Sequence, residues 1–90
     1  MSAGDIVYAE DVDRLIKRDI GLRIRRRREE LGLSQWDLAM RLEIRQDEVS
    51  RWENGRIRPT GHNLSRVADA LDVHWTVLAY GSETEPETDA

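Results

Sequence analysis

The side chains able to do chemistry are two histidines, eighteen carboxylates and fourteen Lys/Arg, with no cysteine. Their spacing does not assemble a reaction centre. His62 and His74 lack a carboxylate or second histidine at a metal-ligand spacing such as H-E-x-x-H, so each reads as a surface or capping residue. Glu29-Glu30 and Asp47-Glu48 are sequence neighbours that diverge on a helix, so neither is an acid/base pair. There is no glycine-rich phosphate loop. Trp36, Trp52 and Trp75 read as core and interface residues rather than a stacking platform for bases. The expectation is a protein that is not an enzyme, with no cofactor and no metal.

What is left is charge, and its distribution matters more than its net value of −4. Residues 1–13 carry four acids and no base, residues 14–58 carry thirteen Lys/Arg against eight Asp/Glu, and residues 59–90 carry Arg66 against six acids. A basic centre between acidic ends is an electrostatic footprint for a polyanion, or else a solvated helix face.

The elements that position these groups must fit into 90 residues, which suits one domain with a modest core. The absence of cysteine excludes disulfides and thiolate metal sites and suits a reducing cytoplasm. No apolar run reaches the roughly 20 residues that span a bilayer, so no membrane partner is expected. Met1-Ser2-Ala3-Gly4-Asp5 has neither a basic flank nor an apolar run, which argues against a signal peptide.

The patterning is helical throughout. Ile20, Ile24, Arg28 and Leu31 recur at helical spacing, and Gly32 fits the position just past a helix end. Ser34 with Asp37 forms a capping box for a second helix from about Gln35 to Leu42, burying Leu38, Ala39 and Leu42. A third helix runs from about Gln46 to Glu53 with Val49 and Trp52 inward, and stops at Asn54-Gly55. Thr60 caps a fourth helix with Leu64, Val67, Ala68 and Leu71 on one face. Trp75 to Tyr80 is a short fifth helix ending at Gly81. Val12, Leu15, Ile16 and Ile20 suit a further helix from about Asp11, and whether it continues through Gly21 is open. Ile6, Val7 and Tyr8 could dock on the body or form a short strand. The expected organisation is a partly helical N-terminal extension (1–18), a helical domain (19–80) and a disordered acidic tail (81–90).

The second and third helices are under ten residues each and are joined by about three residues. Small Ala39 sits where they must approach, and Val49 and Trp52 pack one against the other. That leaves the start of the third helix protruding, and a protruding helix can enter the major groove. In these residues the chain resembles the phage repressor and Cro-type (XRE) family of helix-turn-helix proteins. The resemblance spans roughly Ile20 to Leu78. It rests on Ile24 and Arg28, Leu31-Gly32-Leu33-Ser34-Gln35, Leu38-Ala39, Val49-Ser50-Arg51-Trp52-Glu53-Asn54-Gly55, Pro59, and the run of Leu64, Val67, Ala68, Ala70, Leu71 and Val73. It implies an all-α, five-helix, lambda-repressor-like fold, here with an extra N-terminal helix and the acidic tail.

The resemblance also implies roles. Gln35 looks like the phosphate clamp at the start of the second helix, where the helix N-terminus adds a favourable field. Arg45, Gln46, Asp47, Glu48 and Arg51 occupy the solvent-facing positions of the recognition helix. There Gln46 would meet an adenine edge, Arg51 a guanine edge or a phosphate, and Asp47 or Glu48 a cytosine amino group. Arg45, Asn54, Arg56 and Arg58 look like further phosphate contacts. Arg28 and Glu53 match a pair that forms an internal salt bridge in some members. Of Arg23, Arg25, Arg26 and Arg27, one or two would reach phosphate. Three positions depart from the pattern. Arg45 replaces a hydroxyl N-cap worth about 1 kcal/mol, Asp47 and Glu48 put two acids in the first turn, and Glu43 stands where glycine is common, which suggests a differently built turn.

The function this implies is a sequence-specific double-stranded DNA-binding transcriptional regulator, a repressor acting by occupancy in the cytoplasm, associated with the nucleoid when bound to DNA. The alternative on the same fold is a protein-interaction module with a protein partner, antitoxin-like or an adaptor. A homodimer is expected, because a two-fold dimer reads two half-sites about 34 Å apart. Its surface is either the Trp75–Tyr80 helix or the N-terminal extension with Ile6, Val7, Tyr8, Val12 and Leu15, and the extension is favoured because the family pattern does not require it.

Overall fold

The computed structural model describes residues 3–82, with side chains from residue 11 onward. Among the described residues there are five helices and no strand: α1 (Ala3–Glu30), α2 (Gln35–Leu42), α3 (Gln46–Glu53), α4 (Gly61–Ala70) and α5 (Trp75–Tyr80). The segment ahead of Gly21 is not a separate helix. It is the first part of α1, which runs unbroken through Gly21, and the backbone of Ile6 to Tyr8 is helical rather than extended. Of the expected acidic tail, only Gly81 and Ser82 fall within the described residues.

Gly21 explains both its own presence and the packing. A Cβ there would stand 2.1 Å from the Trp52 carbonyl oxygen and 2.9 Å from that of Glu53. Only a hydrogen fits, so α1 crosses the end of α3 backbone against backbone. The helix propensity lost at glycine, roughly 1 kcal/mol, is offset by this close approach.

The ends of the short helices are set by local chemistry. Arg28 O accepts from Leu33 N–H (3.1 Å) and Glu29 O from Gly32 N–H (3.0 Å), around Gly32 at φ +72°. This is a Schellman stop. Ser34 Oγ accepts from Asp37 N–H (3.0 Å) and Asp37 Oδ2 from Ser34 N–H (2.8 Å), which completes the capping box of α2. The turn after α2 is not built differently, as Glu43 suggested. Ile44 N–H reaches Ala39 O (3.0 Å) and Glu43 N–H reaches Met40 O (3.2 Å), the same pair of bonds as after α1. Glu43 adopts the left-handed conformation at φ 57°, where a side chain costs about 1–2 kcal/mol. Thr60 Oγ1 accepts from Asn63 N–H at the start of α4, and His74 Nδ1 from Thr76 N–H at the start of α5.

The core gathers Ile20, Ile24, Leu38, Ala39, Leu42, Val49, Trp52, Val67, Ala68, Leu71 and Leu78, with Leu33, Ile44, Leu64 and Trp75 packed around it. Two apolar residues that the sequence places on the apolar stripe or among core and interface residues lie outside the core. Leu31 lies beyond the last turn of α1 and is 39% exposed, and Trp36, in the first turn of α2, is 57% exposed.

Four arginines hold this frame at helix C-termini, where backbone carbonyls lack intrahelical partners. Arg23 Nη1 donates to Leu78 O and Ala79 O at the end of α5. Arg27 Nε donates to Leu71 O (2.9 Å), and Arg41 Nη1 to Ala70 O, both at the end of α4. Arg66 donates to Leu42 O at the end of α2. Arg23 and Arg27, two of the four α1 arginines considered for phosphate contact, are thus committed to internal carbonyls.

Candidate nucleic-acid interface

α3 sits between the α2 turn and α1, with Val49, Trp52 and Glu53 buried. At 100° per residue this leaves Asp47, Ser50, Arg51 and Asn54 facing away, with Gln46, in the first turn, exposed at the edge. Its orientation is fixed by one buried ion pair. Arg28 Nε donates to Glu53 Oε2 (2.7 Å) and Arg28 Nη2 to Glu53 Oε1 (2.9 Å), with the two side chains 10% and 1% exposed. Arg28 Nη1 also donates to Leu33 O at 2.7 Å. Hydrogen bonding to Glu53 raises the Arg28 pKa above the ordinary guanidinium value, against the opposing effect of burial. The end of α1 is therefore clamped to the end of α3, as the family resemblance suggested.

Gln35 joins the same network. Its Nε2 donates to Glu53 Oε1 at 3.0 Å, so Glu53 receives three hydrogen bonds from two helices. The amide expected to clamp phosphate is held in place by an internal carboxylate. An amide nitrogen carries two donors, so one remains beyond the bond to Glu53.

Two shallow open depressions adjoin on the outer side of α3. Gln35, Arg45, Gln46, Asp47 and Ser50 line the first, and Asp47, Ser50, Arg51, Asn54 and Arg56 the second. They share Asp47 and Ser50, so these eight residues form one continuous polar face. Ser50 was not among the sequence-predicted site residues. Its signal was its position four residues after Gln46, on the same stripe. It accepts a hydrogen bond from Asn54 Nδ2 (3.2 Å).

Glu48 and Arg58 are not brought into this face. Glu48 lies 100° round the helix from Asp47 and is half-buried beside it. Arg58 lies instead on a separate groove between α1, α4 and α5, with Ile16, Pro59, Leu64, Trp75 and Tyr80.

Asp47 dominates the electrostatics. Its Oδ1 stands 3.2 Å from Arg45 Nε and its Oδ2 3.3 Å from Arg51 Nη2. One carboxylate in the first turn thus bridges two arginines of the face. Arg45 has the extended backbone of an N-cap but makes no side-chain capping bond, so the acids of the first turn supply the favourable charge at that helix end. Arg51 and Arg56 are exposed, and Arg56 N–H is fixed by Arg51 O (2.9 Å). The face can donate from guanidinium and amide groups and accept at one carboxylate, the Gln46 and Asn54 amide oxygens and the Ser50 hydroxyl, the chemistry that reads base edges and phosphate oxygens.

No described helix is long and apolar enough to cross a membrane. Among the described residues no cluster of three His, Cys, Asp or Glu is placed to hold a metal. His74 instead stands 2.7 Å from Thr76 Oγ1 at its capping site.

Comparison with known proteins agrees with this geometry. A helix-turn-helix family model matches residues 24–78, from the buried half of α1 to α5. The chain is also 41% identical over 69 residues, 77% of its length, to the HTH-type transcriptional regulator DicA of Escherichia coli (strain K12). That match spans 51% of DicA, so the chain corresponds to about half of that protein. The clamp between Arg28 and Glu53, the capped two-helix unit and the matched span together place the chain in the XRE-type helix-turn-helix family.

Proposed function

We propose that this chain is a sequence-specific double-stranded DNA-binding transcriptional regulator that inserts α3 in the major groove. The observation that carries the reading is the continuous face of Gln35, Arg45, Gln46, Asp47, Ser50, Arg51, Asn54 and Arg56, held outward by the buried Arg28–Glu53 clamp. In this reading Gln46, Asp47 and Arg51 meet base edges. Gln35, Arg45, Asn54 and Arg56 position the helix on phosphates. The chain represses by occupying its site, as a homodimer that reads two half-sites, in the cytoplasm with the nucleoid. DicA, named as a transcriptional regulator, supports the same class of activity.

The test is fluorescence anisotropy with duplex DNA at low and moderate salt, comparing wild type with an Arg51→Ala, Arg56→Ala variant. Salt-dependent binding lost in the double variant supports the reading. No binding at low salt overturns it for the isolated chain. One observation favours the second reading, a protein-interaction module: Asp47 neutralises part of the face by bridging Arg45 and Arg51. That reading predicts no binding to any duplex at low salt.

A further inference from the structure

We infer that the outward side of α1 is where a second copy of this chain docks, with the two α1 helices antiparallel. This rests on the homodimer reading above and names its surface.

α1 has two unlike sides. Ile20, Gly21, Ile24 and Arg28 face the body and are buried. Leu15 and Leu22 are seven residues apart and therefore in line, on the side turned away from that set. They are 54% and 42% exposed, and Val12, three residues before Leu15, is 39% exposed. Scattered apolar side chains on a surface need no explanation, but an aligned set is the pattern of a helix seam. The family model begins at residue 24, so the stripe lies ahead of the span that the helix-turn-helix domain requires.

The charge along α1 indicates what covers the stripe. Residues 3–13 carry four acids and no base, and residues 14–30 carry eight bases and three acids. Of those bases, Arg23, Arg27 and Arg28 are committed to internal partners. Arg14, Arg18, Arg25 and Arg26 remain exposed, Arg14 and Arg25 with pairs to Asp11 and Glu29 on the same helix, as Lys17 has to Asp13. A parallel pair of α1 helices would lay acid on acid and base on base. An antiparallel pair lays the acidic half of each helix along the basic half of the other and brings Val12 of one copy near Leu22 of its partner. The helix is self-complementary in that sense only, and self-complementarity is what a two-fold contact needs. The rival helix α5 carries no charged residue, so a contact through it has no such charge complementarity.

The experiment is sedimentation equilibrium of the full chain without DNA, comparing wild type with a Leu15→Lys, Leu22→Lys variant. Both positions are exposed, so the variant keeps its helical circular dichroism. Wild type is expected to dimerise, and the variant to dissociate roughly tenfold more readily or more. Because the chain has no cysteine, Val12→Cys and Leu22→Cys variants give clean crosslinks. The antiparallel contact predicts a disulfide between the two variants when mixed and little within either alone. Three results overturn the inference: a wild type that stays monomeric at high micromolar concentration, a double variant that dimerises like wild type, or crosslinks within each variant alone. None of these bears on DNA binding by a single copy, which the anisotropy experiment reads separately.

Discussion

Arg28 and Glu53 meet through two parallel hydrogen bonds of 2.7 and 2.9 Å, joining the end of α1 to the end of α3 in the domain interior. Removing one partner leaves the other as an uncompensated buried charge. Arg28→Ala is expected to destabilise the fold by about 3–5 kcal/mol, a large part of a small domain's total. An apolar pair such as Arg28→Met with Glu53→Leu is expected to lose much less. Urea unfolding followed by circular dichroism checks both, and equal losses would show that the pair matters through shape rather than charge.

Gly21→Ala sets two effects against each other. Alanine gains roughly 1 kcal/mol of helix propensity. Its Cβ would also stand 2.1 Å from the Trp52 carbonyl oxygen, a backbone atom that cannot swing aside. The clash is expected to win, with a net loss of about 2 kcal/mol or more and a displaced α3. A midpoint shift to lower urea, together with weaker duplex binding, is the expected result.

Asp47 restrains two arginines at once, so Asp47→Asn frees both and removes an anion from the face. Binding to a random duplex at low salt is expected to tighten several-fold. The slope of log affinity against log salt is expected to steepen by roughly one. Discrimination between sequences is expected to fall, read as a narrower spread of affinities across a duplex panel. Unchanged affinity and slope would remove Asp47 from the interface.

The capping box makes α2 sensitive to acid. The Ser34 backbone N–H, then the Ser34 hydroxyl, hold the Asp37 carboxyl below its ordinary pKa, and Arg41 adds to this against a small opposing effect of desolvation. A carboxylate with a lowered folded-state pKa stabilises fully above its unfolded value of about 3.9 and loses that contribution as pH falls through the folded value. Asp37→Asn is therefore expected to flatten the fall in stability below about pH 4 while lowering stability at neutral pH. Urea midpoints of the two proteins between pH 7 and pH 3 provide the check.

The sequence is most readable where structure is local. Ser34, Thr60 and Gly81 mark helix ends through bonds to residues three or four positions away; α2, α3 and α5 begin and end at the expected residues, and α4 begins behind its expected cap. It is least readable where the partner is distant. Gly21 looks like a helix breaker until Trp52 is placed against it. Arg23 and Arg27 look like candidates for phosphate, and nothing local marks a role for Arg41 or Arg66; the carbonyl partners of all four lie 24 to 56 residues away in sequence. Helical spacing alone marks neither Leu31 nor Trp36 as exposed, since which face is covered depends on the neighbouring helices. At the site, spacing places Asp47 and Arg51 on one stripe. It does not show that Asp47 lies between two arginines, or that Gln35 turns inward to Glu53.

α1 is one rod of about 42 Å at the ordinary helical rise, and it meets the end of α3 backbone against backbone at Gly21. That contact is a fulcrum. The half of the rod carrying Val12 and Leu15 is a handle, and the far side of the pivot is locked to α3 by Arg28. With no flexible joint between them, a tilt imposed on the handle turns α3 as well. The spacing of two bound copies would then be a length fixed by a rigid helix, so one inserted base pair between half-sites would meet a stiff ruler and not a yielding loop.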